Sequence, residues 1–156
     1  DRIEVKGYEI KNADDFGSPL IQKLEIEINT FDDMDAGNFM LNPFILGKWE
    51  KNPFRSATRL YPVDFGTAIE SVTILNLEYP ENFEIINLPD KIGLSLPNGG
   101  GRFLLDIHQT GNKITLNNSL SISKAVFSSD EYHYLKELFN RIIQIQNADL
   151  LFRKKS

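Results

Sequence analysis

Histidine occurs at two positions, His108 and His133, and cysteine at none. Composition therefore excludes a thiol nucleophile, a disulfide, a zinc ribbon and an iron–sulfur cluster. The two imidazoles fall on separate predicted elements, and neither has the HxxxH or Cys partner that a zinc site needs. His108 shares the polar face of a predicted strand with Arg102, Asp106 and Thr110, and His133 points away from the apolar stripe of a predicted helix. Both are expected at the surface.

The remaining candidates for chemistry fail on spacing. Asp33-Met34-Asp35-Ala36-Gly37 suggests calcium, but the fifth, sixth and twelfth loop positions counted from Asp33 are Gly37, Asn38 and Phe44. An EF-hand needs an oxygen ligand, Gly and Glu there, so an acidic turn between strands is expected instead. Pro97-Asn98-Gly99-Gly100-Gly101 lacks the Lys-Ser/Thr of a phosphate loop and runs into a strand pattern, so it reads as a flexible connection. No GxSxG elbow is present, and nothing in the sequence selects two of the carboxylates at Glu70, Glu78, Glu81, Glu84, Asp90 and Asp106 as an acid/base pair. Two Asn-Pro-Phe tripeptides, Asn42–Phe44 and Asn52–Phe54, read as turn boundaries. The site prediction is accordingly no catalytic residue, no cofactor and no metal.

One segment stands out in a chain of net charge −5. Trp49, Phe54, Tyr61 and Phe65 cluster with Lys48, Lys51, Arg55 and Arg59. Basic residues among aromatics stack on bases or sugars, and they also favour protein interfaces. Trp49, Phe54, Arg55, Arg59, Tyr61 and Phe65 are the candidate interaction patch. The acidic balance argues against a nucleic-acid partner.

These residues need elements to position them. In Ile21–Asn29, Leu24, Ile26 and Ile28 alternate with Lys23, Glu25, Glu27 and Asn29, the signature of a half-buried antiparallel strand. Shorter strands are predicted at Ile3–Ile10, Asn38–Leu46, Thr67–Glu78, Asn82–Ile86 and Ile92–Leu96. Phe103, Leu105 and Ile107, then Ile114, Leu116, Leu120 and Ile122, form the two arms of a long hairpin turning at Gly111-Asn112. Ser128 and Glu131 have capping-box spacing, and Leu135, Leu138, Phe139, Ile142 and Ile143 make one helical stripe, predicting a helix over 129–147. A strand over 148–152 follows, with Arg153, Lys154 and Lys155 fraying into solvent. The fold prediction is a mainly β chain, an antiparallel β-sandwich with one C-terminal helix packed on a sheet, forming a single domain over 1–156. The longest stretch without an ionisable side chain, Ala36–Gly47, is 12 residues and contains Pro43, too short to span a bilayer. Asp1-Arg2-Ile3 carries neither an initiator Met nor a leader pattern and reads as the start of a fragment or a processed chain.

Asn52-Pro53-Phe54, Arg59-Leu60-Tyr61-Pro62-Val63-Asp64-Phe65-Gly66, Leu88-Pro89 and the helix from Tyr132 through Leu135-Lys136 to Leu150–Lys154, in that order and spacing, carry a resemblance. Together they resemble the C-terminal domain of unknown function of bacterial cell-envelope proteins with a papain-like, transglutaminase-type core, over about Gly37 to Lys155. The resemblance implies a periplasmic or secreted accessory module, whose partner is the transglutaminase-like domain of the same polypeptide, with an envelope peptide or glycan as the alternative. It also implies that the family's nucleophilic Cys, His and Asp lie in the preceding domain, since this chain has no Cys to receive that role. Within the motif, Arg59, Tyr61 and Pro62 read as the entry to a strand, with the Tyr61 ring buried.

Overall fold

The computed structural model describes residues 2–29 and 37–155. The Asp33–Gly37 turn considered for calcium lies outside them, apart from Gly37. The chain divides between Phe39 and Met40 into two compact units.

The first unit is an antiparallel hairpin of β1 (Arg2–Lys11) and β2 (Ile21–Asn29). Ile3 pairs with Ile28, Val5 with Ile26 and Tyr8 with Leu24. A bulge between Val5 and Gly7 explains how residues three apart stay on one face, since a regular strand would turn Tyr8 to the other side. The opposite face is charged, with Lys6 between Glu4 and Glu27 at 2.9 and 3.0 Å. The alternation predicted a face lying on a core. Instead Ile3, Val5, Tyr8 and Ile10 are exposed and Leu24, Ile26 and Ile28 are half-buried, because among the described residues of their unit no further element packs over the two strands.

The second unit is built on a four-stranded antiparallel sheet in the order β5-β9-β8-β7, from β5 (Ile69–Glu78), β7 (Ile92–Ser95), β8 (Gly101–Thr110) and β9 (Lys113–Ile122). The predicted hairpin is β8–β9, paired from Gly101↔Ile122 to Thr110↔Lys113. Of its two loop residues only Gly111 has a positive φ, 61°, the pattern of a type II′ turn. Phe103, Leu105, Ile107, Ile114, Leu116, Leu120 and Ile122 are buried on one face. α1 (Tyr132–Gln146) lies over that face, with Leu135, Leu138, Phe139 and Ile142 buried. It is entered through a tight turn at Ser129–Glu131, where the Glu131 carboxylate accepts the Ser128 N–H at 2.8 Å as the capping spacing predicted.

Two smaller sheets follow, the first with a strand that runs across the division between Phe39 and Met40. β3 (Asn38–Leu41), β11 (Leu150–Lys154) and β6 (Phe83–Ile85) form one in the order β3-β11-β6, and β4 (Val63–Asp64) pairs with β10 (Val126–Phe127) in the other. The mainly antiparallel β class with one late helix is thus the observed fold. Two local expectations are corrected. The basic end does not fray: Arg153 bonds Glu84 at 2.7 Å and the Lys155 N–H donates to Asn82 O at 2.8 Å, because β11 continues to Lys154 beside β6. The glycine run is a packed turn rather than a flexible loop, since a Cβ on Gly101 would sit 2.7 Å from Ser121 O and one on Gly100 3.0 Å from the Phe127 ring.

Candidate functional site

Residues 42–56 lack regular strand or helix, yet they are fixed, and the two Asn-Pro-Phe tripeptides fix them. In each, the Asn side chain accepts the N–H of the Phe two residues on, at 3.0 Å for Asn42–Phe44 and 2.8 Å for Asn52–Phe54. Pro between them has no N–H to compete and holds φ for the turn. The Asn Nδ2 is then free to reach α1: Asn42 donates to Gln146 O at 3.0 Å, and Asn52 to Lys136 O at 2.9 Å and to Asn140 Oδ1 at 2.7 Å. Lys136 and Gln146 are ten residues apart, about 15 Å along a helix. The segment is therefore a strap running against the direction of α1, pinned at both ends. Each clamp also sets a Phe into the core, Phe44 and Phe54, both buried.

Phe54 joins a chain of edge-to-face rings with Phe139 at 5.2 Å, Tyr132 at 5.8 Å and Phe65 at 6.2 Å, and Phe65 continues it to Phe127 at 5.8 Å. Trp49 meets Phe139 at 5.0 Å. The strap's backbone is stitched further: Trp49 N–H donates to Gln146 Oε1 at 2.8 Å, and Lys136 Nζ and Tyr132 OH donate to Ser56 O at 2.9 and 3.0 Å. Such pairing is what allows irregular backbone to lie on a core.

The predicted patch is therefore divided. Phe54 faces inward, Phe65 is half-buried beside it, and Trp49 is packed on one side and open on the other. Arg55, Arg59 and Tyr61 are exposed; Tyr61 is 77% exposed and its neighbour Leu60 89%. The expectation of a buried Tyr61 ring is thus corrected: the strand begins only at Val63, and Tyr61 lies before it on the exposed loop. Both feet of the exposed 57–62 loop are anchored, one by Phe54 and the Ser56 carbonyl, the other by Val63↔Phe127 pairing and the Phe65 N–H to Ala125 O bond of 2.8 Å. Leu60, absent from the predicted patch, is its most exposed apolar member, and no periodic signal marks it.

Beneath Trp49 lies a cleft of about 320 Å³ between α1 and the inner face of the sheet, lined by Ser71, Thr73, Asn118 and Gln146 among apolar side chains. Asn118 interrupts the apolar alternation of β9 and is buried, and its Oδ1 has no hydrogen-bond partner. Elsewhere, His108 lies 3.3 Å from Asp106 on the outer face, and His133 stacks on Tyr134 at the surface. The Lys91 ammonium at 3.0 Å, with His108 nearby, holds the Asp106 carboxyl below its usual range. Among the described residues no three His, Cys, Asp or Glu converge as a metal site, and no helix is long and apolar enough to cross a membrane.

Fold and surface define a class: a small antiparallel β module whose helix is strapped in place and which displays an anchored apolar loop. The chain belongs to the family described as a domain of unknown function with a solved structure, DUF3858, whose model matches residues 37–152. That span holds the strap, the exposed loop and the cleft, and leaves out the first hairpin. Among solved structures the chain is similar to a candidate protease from Parabacteroides distasonis, at 18% identity and a TM-score of 0.63, covering 78% of this chain. The chain spans 24% of that protein's length, and the likeness is one of fold. No curated protein matches.

Proposed function

We propose that the chain is a non-catalytic accessory module of a larger, transglutaminase-like envelope protein, and that it docks on the neighbouring catalytic domain of the same polypeptide. One observation carries the reading: Leu60 and Tyr61 stand in solvent on a loop with both feet locked into the core. An apolar pair on a loop anchored at both feet has fewer conformations to lose on docking than one on a free segment, which suits an interface. Arg55 and Arg59 flank the pair and supply charge for a polar rim. The resemblance of the sequence motifs to the closing domain of such proteins, and a fold similar to about a quarter of a longer candidate protease, support placing the module beside an enzyme core. The absence of Cys from the sequence assigns any thiol chemistry to that core.

The test is binding of this chain to the separately expressed core. Wild type is expected to bind and Leu60→Asp/Tyr61→Ser to weaken binding at least about tenfold, with the melting temperature unchanged, because both side chains are outside the core. Equal binding by the double variant contradicts the reading.

A further inference from the structure

The cleft beneath Trp49 is independent of the docking loop, and its chemistry is specific. Its floor is apolar, from Phe103, Leu120 and Ile142. Four uncharged polar side chains are set into that surface. Ser71 and Thr73 project from β5, and the backbone register shows what they have left to offer. The Tyr79 N–H bonds Asn112 O, so the odd-numbered residues of β5 direct their backbone groups to β9, and only the hydroxyls of Ser71 and Thr73 face the cleft. Asn118 lies directly across from Thr73. It is 8% exposed, and its Oδ1 has no hydrogen-bond partner within the protein, a costly arrangement that an incoming donor relieves. A half-turn of the amide presents either its carbonyl or its NH2 to the cleft. Gln146, 1% exposed, is oriented by the Trp49 N–H on its Oε1, which leaves its NH2 as a donor.

We infer that this cleft binds a neutral sugar bearing a secondary amide, an N-acylated hexosamine. An amide on the ligand matches the donor and acceptor of Asn118, its small acyl group meets the apolar floor, ring hydroxyls reach Ser71, Thr73 and Gln146, and the half-open Trp49 ring covers the sugar face. Lys48 is the one ionisable side chain in the lining, so nothing there selects a strongly charged ligand. The volume lies at the lower end of the range for small-molecule sites, enough for one or two sugar rings.

The experiment is a nitrogen-15 NMR titration of the chain with N,N′-diacetylchitobiose, with cellobiose and N-acetylglycine N-methylamide as comparisons. The diacetylated sugar is expected to shift the Asn118 side-chain amide and the Trp49 indole resonances saturably, with half-saturation at about 1 mM or below, and cellobiose to bind at least about tenfold more weakly. Asn118→Leu is expected to keep or raise the melting temperature while abolishing the shifts at Trp49. Thr73→Val, nearly isosteric, provides a second variant if the first does not fold, and weakens binding several-fold. No saturable shift, equal binding of cellobiose, tighter binding of the peptide amide than of the sugar, or unchanged binding in whichever variant folds overturns the inference.

Discussion

The Asn52 side chain donates to the Lys136 carbonyl at 2.9 Å while accepting the Phe54 N–H at 2.8 Å, so one amide shapes a turn and ties it to a helix 84 residues away in sequence. Asn42 does the same ten residues earlier, against the far end of the same helix. Asn52→Ala leaves the Phe54 N–H without its acceptor and removes the strap's donations to Lys136 O and Asn140 Oδ1. Its cost is expected at about 1–3 kcal/mol, a fall of several degrees in melting temperature. Urea unfolding checks it, and Asn52→Asp, which restores only the acceptor, should recover part of the loss.

Gly101 opens β8 where its Cα faces Ser121 O. Gly101→Ala must push strands apart to clear a 2.7 Å contact, and destabilisation of about 1–3 kcal/mol is expected. Gly111→Ala has free space but a φ of 61°, so its cost comes from backbone strain, about 1 kcal/mol. A larger effect at position 111 than at 101 in denaturant titration contradicts this account of the glycine run.

Glu131 closes the entry to α1. The Lys124 ammonium, first, and then the Ser128 N–H hold its carboxyl below the usual glutamate range. A depressed folded-state value means that this contribution is present above the ordinary glutamate pKa and is lost as pH falls through the folded value. Glu131→Gln is therefore expected to be less stable than wild type at neutral pH and to converge with it on acidification below about pH 4. Parallel stability curves across that range, followed by thermal melts, contradict the assignment.

The parts of the fold held by local periodicity could be read from the chain. The β8–β9 arms alternate with period two, α1 repeats its stripe every three to four residues, and the Ser128–Glu131 spacing marks its start. The strap could not be read that way, because its stability comes from side-chain amides meeting carbonyls 84 and 104 positions distant, which leaves no periodic trace. The repeated Asn-Pro-Phe was its visible sign, and reading each copy as a turn captured only half of what the Asn does. The two-residue strands β4 and β10 were too short to show a period. The aromatic and basic cluster was visible as composition, but which members face inward depends on where Phe54 and Phe65 meet Phe139 and Phe127. The cleft had one signal in the sequence: Asn118 stands where the apolar alternation of β9 calls for a hydrophobic residue.

The most direct measurement for the docking account is hydrogen exchange of residues 55–62, compared between this chain alone and this chain joined to the transglutaminase-like core on which it is proposed to dock. The account predicts that amides around Leu60 and Tyr61 exchange at least about tenfold more slowly in the joined protein, while those of β8 and β9 are unchanged. Equal exchange of the loop in the two proteins contradicts it.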